Sequence, residues 1–411
     1  MQQNNTFGSA PRLEQNGAPA ALTDLLAIAG VTINGDRPWD IRVFDREVYR
    51  RVLSDWSLGL GEAYMDGLWD CERLDVLFTM LLKTGIDASA TGLAKLRLFA
   101  EHLRHKIFNL QSARRAFQVG EQHYDVGNDV FEAMLDSHMI YSCGYWEHAT
   151  DIEQAQLDKL KMICEKLQLR PGETLLDIGC GWGGLARFAA ERYGVKVTGV
   201  TVSKEQLDLA RNRCAGLPVN LLLQDYRDLQ GQFDKIVSVG MFEHVGPKNY
   251  DTYFETAQRL LKPNGIFLLH TIGIAQTSAG VDPWIDRYIF PNGRLPSARQ
   301  ISDAVEPWFI IEDWHNFGND YDRTLMAWWE RFEEAWPTLQ NRYDHRFYLM
   351  WKYYLLCCAG FFRSRQGQLW QVVLTRPERQ DTYRSMRLPS AKQADRLYAY
   401  DRYRRTAQTQ K

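Results

Sequence analysis

The stretch TLLDIGCGWGGLA, residues 174–186, reads as a short apolar strand that breaks into a glycine-rich turn and then opens a helix. Such an arrangement points backbone N–H groups and a helix N-terminus at a nucleotide-like ligand. Spacing alone leaves two chemistries open. Gly179, Gly181 and Gly184 satisfy the dinucleotide fingerprint G-x-G-x-x-G. A carboxylate, Asp177, precedes the first glycine, however, and the second strand, residues 195–202, ends in Thr201 and Val202, where a dehydrogenase places an acid for the ribose.

Outward from this turn, helix and strand patterns alternate, as in a parallel sheet covered on both faces. Helical spacing runs over residues 153–167, 184–193, 204–214 and 249–261. Strand patterns fall at 174–180, 195–202, 219–224, 233–240 and 265–272, and residues 310–316 and 369–375 complete a seven-stranded sheet. Two helical stretches, 324–336 and 346–362, lie between those last two strands and are long enough to cover a pocket. The expected fold is α/β: a Rossmann-like, mostly parallel seven-stranded sheet with helices on both faces, plus a small, mainly helical N-terminal domain.

The expected division is a flexible leader over 1–21, an N-terminal domain over 22–115, a catalytic domain over 116–376 and a basic tail over 377–411. Residues 31–34 and 41–44 interrupt the N-terminal helices with strand-like patterns. Leu96, Phe99, Leu103, Ile107 and Leu110 fall on one helical face, with Lys95, Arg97, Arg104 and Lys106 on the others and Arg114 and Arg115 beyond. That pattern suits anionic lipid or a core-facing stripe with a solvated basic side. Residues 376–411 carry ten Lys/Arg against four acids and read as a solvated extension.

With 49 basic and 51 acidic residues, the chain has no global field for nucleic acid. Thirteen Trp and 12% aromatics suit apolar burial or apolar ligands. Seven cysteines form no C-x-x-C pair, which fits a reducing cytoplasm and no structural metal. No apolar run is long enough to span a bilayer, so any membrane contact is expected to be peripheral.

Ligands of an open α/β sheet bind at the carboxyl ends of its strands. Read in order, those ends supply Asp177 and the glycine turn, then Thr201, Ser203 and Gln206, then Gln224, Asp225 and Tyr226. The fourth strand ends in Gly240, Met241, Phe242, Glu243 and His244, and the fifth in His270, Thr271 and Ile272. Glu243 and His270 thus close neighbouring strands at the ligand edge, where a carboxylate and an imidazole can handle protons.

The D-x-G-x-G-x-G turn resembles the S-adenosylmethionine site of a class I methyltransferase. A wider resemblance rests on EQHYDVGNDVF (121–131), MIYSCGYW (139–146), LLDIGCGWGG (175–184), GVTVSKEQ (199–206), SVGMFEHVG (238–246), LLHTIG (268–273), YIFPNG (288–293), NFGNDYDRTL (316–325) and SLGLGEAYMDGLWD (57–70). Taken in chain order these segments are similar to the cyclopropane-fatty-acyl-phospholipid synthases, from about residue 22 to residue 375.

The resemblance implies methylene transfer from S-adenosylmethionine to the cis double bond of an unsaturated phospholipid acyl chain, with a bound bicarbonate as the base. It implies bicarbonate contacts at Cys143 (through its backbone), Glu243, His270, Ile272 (backbone) and Tyr321. Cofactor contacts fall on Tyr141, Ser142, Asp177, Gly179, Gly181, Thr201, Gln206, Asp225 and Tyr226. Gly240, Met241, Phe242, Trp284, Tyr288 and Phe290, with Trp328, are candidate substrate liners. Cys358 matches a cysteine noted in the family, although its apolar helical run also suits a small buried thiol. A homodimer, cytoplasmic and transiently at the inner face of the membrane, is implied as well. A related methyltransferase leaving a methyl branch, and a non-catalytic lipid-binding module, are the competing readings.

Overall fold

The computed structural model of the chain describes residues 17–85, 126–278 and 280–385. The candidate lipid-facing helix at 96–110, its neighbouring arginines and residues 386–411 of the basic tail lie outside them. Elements run α1 Ala20–Ile28, β1 Arg42–Val43, α2 Glu47–Met65, β2 Trp69–Asp70, α3 Leu74–Lys83, α4 Asn128–Met134, α5 Ile152–Lys166, β3 Thr174–Ile178 and α6 Gly184–Tyr193. Then follow β4 Lys196–Thr201, α7 Lys204–Arg213, β5 Val219–Leu223, β6 Phe233–Val239, α8 Tyr250–Leu260, β7 Leu261–Ile274, α9 Pro283–Tyr288, α10 Ala298–Val305, β8 Ile310–Asn316, α11 Asn319–Leu339, α12 His345–Arg363 and β9 Gly367–Thr375.

The large sheet has the order β5-β4-β3-β6-β7-β9-β8, seven strands as the patterns predict. Its first five strands are parallel, and β9 runs antiparallel to both β7 and β8. Burial on both faces explains the near-continuous apolar runs of the central strands. Leu175 joins a core with Leu160, Ile163 and Leu185 of α5 and α6, whereas Leu176 and Ile178 pack with Tyr253, Phe254 and Ile301 of α8 and α10. Alternate residues of β3 thus serve opposite layers, and helices cover both faces.

The N-terminal strand patterns find a different arrangement. Ile33 and Ile41 form a single bridge, and β1 pairs antiparallel with β2. A two-residue ladder is too short to leave a readable alternation, so its partner at Trp69 carried no signal. The N-terminal segment does not keep a core to itself. Val43, Tyr64, Trp69, Leu74 and Leu77 share one buried cluster with Trp284 and with Tyr353, Leu356 and Phe362 of α12.

The tail also begins differently from the solvated extension expected of it. Tyr383 is buried and donates its hydroxyl to the Lys166 carbonyl (3.1 Å), and Ser385 donates to Asp313 (2.8 Å). An aromatic ring that reaches a gap beside α5 gains more from burial than from solvent, so residues 377–385 belong to the globular body.

Candidate active site

The glycine turn sits where β3 passes into α6. Gly179 and Gly181 have φ of 86° and 52°, a region that strains side chains carrying a Cβ. Gly184 answers a different need: a Cβ there would lie 2.2 Å from the His138 carbonyl oxygen. The loop before α5 therefore crosses directly over the start of α6. Gly184→Ala should cost stability on the order of 1–3 kcal/mol by overpacking this crossing. Thermal melting reads it, and an unchanged midpoint would show that the loop is free to retreat.

That loop is anchored in turn. Asp136 accepts from the N–H groups of His138 and Ile140 (both 2.9 Å). Ser142 is held at both ends, its carbonyl by Gln156 Nε2 and its hydroxyl by Lys159 Nζ (both 2.7 Å). The Tyr141 and Tyr354 hydroxyls share a hydrogen bond of 2.7 Å. Along the next strand ends, Thr201 accepts from Ser203 N–H (3.1 Å) and Ser203 caps α7 by accepting from Gln206 N–H (3.3 Å). Asp225 is already engaged by Arg227, whose Nε and Nη2 donate to its two oxygens at 2.8 and 2.6 Å.

Glu243 follows the end of β6 in the short turn Phe242–His244, and His270 lies inside β7, paired with Val239 at the last position of β6; both line one cavity. Ile272 N–H donates to Glu243 Oε1 (2.6 Å), while Oε2 is buried without a hydrogen-bond partner among the described residues. Burial pushes the Glu243 carboxyl up to about 7. His270 is 1% exposed, and its burial holds the ring well below the usual imidazole range, in the neutral form. With the Gln371 amide donating to Nδ1 (3.3 Å), the ring proton is assigned to Nε2, which is buried and also without a partner among the described residues. Tyr321 stacks on Phe362 (ring centroids 4.4 Å) near the same groups.

One cavity of about 1420 Å³ joins these features. Tyr141, Ser142, Asp177, Gly179, Gly181, Thr201, Gln206, Asp225 and Tyr226 all line it, as do Gly240, Met241, Glu243, His270, Ile272, Phe290, Tyr321 and Cys358. It continues into a wall of N-terminal side chains, among them Leu25, Leu26, Val52, Trp56, Phe78 and Leu81. Trp56 itself interrupts the helical dihedrals of α2 (φ 50°, ψ −120°), a backbone strain sited on the cavity wall.

Several expected contacts are placed elsewhere. Phe242 turns back beneath the sheet edge and stacks on Tyr250 (4.4 Å), while Glu243 and His244 of the same short turn line the cavity. Trp284 fills the joint against Gly61 and Tyr353, and Tyr288 donates to Glu62 (2.8 Å). Trp328 packs behind Tyr141 and Tyr321 rather than on the cavity surface. The buried Cys143 thiol points to the Gly144 carbonyl (3.1 Å), which leaves only its backbone for an anion. Ile272 N–H, expected to meet that anion, is spent on Glu243.

Sequence reasoning missed Lys159, Gln371, Tyr354 and the whole N-terminal wall. Only Lys159 carried a readable signal: a lysine on the α5 stripe otherwise formed by Ile152, Ala155, Leu160 and Ile163.

Residues 111–372 match the family described as mycolic acid cyclopropane synthetase. The cyclopropane-fatty-acyl-phospholipid synthase of Escherichia coli K12 is 60% identical over 356 residues, covering 86% of this chain and 92% of that protein. The structure of the cyclopropane synthase MmaA2 from Mycobacterium tuberculosis is 30% identical with a TM-score of 0.61, covering 66% of this chain and all of that one. The mycolic acid cyclopropane synthase CmaA1, solved with SAH and CTAB, is 32% identical with a TM-score of 0.60, covering 63% and 98%.

Proposed function

Because the chain belongs to the mycolic acid cyclopropane synthetase family, we propose that it transfers a methylene group from S-adenosylmethionine to the cis double bond of an unsaturated phospholipid acyl chain, forming a cyclopropane fatty acid. The observation that carries this reading is the continuity of the cavity. It runs from the Asp177–Gly184 turn, past Glu243 and His270, to apolar walls that suit a hydrocarbon chain.

An alkene is a weak nucleophile, so the chain must hold it in line with the donor methyl at near-attack distance. Met241, against Gly179 of the turn, and Phe290, beside His244 and Tyr354, line the cavity and would set that alignment. Methyl transfer leaves positive charge on the acyl chain, where water would trap it as an alcohol. The apolar walls exclude that water, which protects the product as well as the rate.

Ring closure needs a proton removed from the added methyl group. The buried, unpartnered Glu243 Oε2 and His270 Nε2, with the Tyr321 hydroxyl nearby, are a donor and acceptor set that fits a small oxyanion such as bicarbonate. Bound there, bicarbonate would supply the base for that proton. Glu243 would accept the anion's O–H, while His270, Tyr321 and the Cys143 backbone would donate to it. Ile272 N–H fixes the Glu243 carboxylate from behind.

No helix among the described residues is long and apolar enough to cross a membrane. In this reading residues 22–115 form a lipid-docking domain that meets the bilayer peripherally. The resemblance to the synthase family adds a homodimer working in the cytoplasm at the inner membrane face.

Incubation with methyl-labelled S-adenosylmethionine and vesicles of a defined cis-monoenoic phospholipid tests the reaction. Label is expected in a saturated ring within the intact phospholipid. Label recovered as a methyl branch, or on a small amine or acid, would overturn it.

A further inference from the structure

Lys159 is a cation buried in the wall at the cofactor end of the cavity. It is 1% exposed, and its Nζ donates to Ser142 Oγ at 2.7 Å, one bond from an ammonium that has three to give. Four groups feel its charge: Asp136, Cys143, Asp177 and His270. Asp136 is occupied by two backbone N–H groups, the Cys143 thiol is turned to the Gly144 carbonyl, and His270 is neutral. Asp177 remains. It is 2% exposed, lines the same cavity, and its Oδ2 is buried with no hydrogen-bond partner among the described residues.

A buried ammonium and a buried carboxylate, both facing one cavity and neither fully bonded, are costly to keep. Burial pushes Lys159 down to about 8 and Asp177 up to about 7. A ligand that brings the complementary charges in the complementary order repays both desolvations at once. The amino-acid end of S-adenosylmethionine is such a group, a carboxylate and an ammonium on one carbon.

Resting on the cofactor assignment above, which already gives Ser142 and Asp177 to S-adenosylmethionine, we propose that Lys159 joins Ser142 in receiving the α-carboxylate of the donor, with the α-ammonium left to Asp177. The zwitterion is then gripped between two opposite buried charges, and the sulfonium is left to face the acyl chain. Lys159 is a binding and positioning residue, since it touches the end of the donor remote from the transferred methyl.

Calorimetric titration of the full-length protein with S-adenosylhomocysteine and with 5′-methylthioadenosine, the nucleoside lacking the amino-acid end, separates this role from a structural one. Lys159→Met should weaken S-adenosylhomocysteine binding by about 10-fold or more and leave methylthioadenosine binding unchanged. Lys159→Gln, which keeps a donor to Ser142 without the charge, should show the same split if the methionine variant folds poorly. Asp177→Asn should repeat it from the ammonium side. Equal weakening of both ligands by Lys159→Gln would make the lysine a structural prop and overturn the proposal. Unchanged S-adenosylhomocysteine binding with an altered bicarbonate requirement would overturn it too, assigning the lysine to the oxyanion. A wild-type protein that binds neither nucleoside would refute the cofactor assignment itself, and this inference with it.

Discussion

Glu243→Gln should lower ring formation by at least about 100-fold, the usual cost of disabling general-base catalysis, here by removing the carboxylate that orients the base, while S-adenosylhomocysteine still binds. The amide can keep its contact with Ile272 N–H, but its other end becomes a donor where the site needs an acceptor. The same substitution should stabilise the fold. Folding raises this carboxyl from an ordinary 4.5 to about 7, so the folded state holds the proton more tightly than the unfolded chain. The burden of burying its charge therefore grows as pH rises between those values and is fully present above them. Removing the charge should gain on the order of 1–3 kcal/mol at pH 8 and far less at pH 5. Thermal melting at both pH values and product analysis by mass check the pair. Retained ring formation, or a melting gain equal at both pH values, would show that Glu243 does not carry a buried charge in the reaction.

Arg363→Met should destabilise the protein by about 3 kcal/mol, because it strips the shared partner from a buried carboxylate, Asp75, and a half-buried one, Asp322. Arg363 of α12 reaches Asp75 of α3 at 2.5 Å and Asp322 of α11 at 2.7 and 2.8 Å, tying the N-terminal segment to α11 and α12. Burial opposes ionisation of Asp75, but hydrogen bonds from Arg73 and Arg363 outweigh it and hold the carboxyl below its ordinary 3.8. For a lowered carboxyl the stabilisation is present above the unfolded value and is lost as pH falls through the folded one. The gap between wild type and variant should thus narrow in acid. Denaturant unfolding at pH 7 and pH 3 measures it, and adding Asp75→Asn should recover part of the loss. A loss unaffected by pH would point to packing rather than charge.

The two sites differ in how much of them the residue pattern revealed. Glu243 and His270 were legible because parallel strands all deliver their carboxyl ends to one edge, so reading the ends in order reads the site. Gly184 was legible as a turn residue, although the reason for it, the His138 carbonyl above, lies 46 positions away and left no local trace. Arg363 was not legible at all. Its partners, Asp75 and Asp322, are brought to it by the packing of α12 against α3 and α11.

Aromatic residues divide in the same way. Met241 and Phe242 are neighbours at one strand end, yet one lines the cavity and the other stacks beneath it on Tyr250. Trp284 and Tyr288 have the composition of a lipid pocket and spend it on the joint with α2. Apolarity states that a ring will be buried and is silent on which surface buries it.

By itself, the sequence determined the sheet, the cofactor turn and the pairing of a carboxylate with an imidazole, because periodicity, glycine spacing and strand-end position act over a few residues. Tertiary structure alone decided which rings face the cavity, that Lys159 and Asp177 line it together, and that residues 22–85 complete its wall. Those outcomes depend on long-range packing between two-sided elements, where many partners satisfy the same local pattern and only the assembled core selects one.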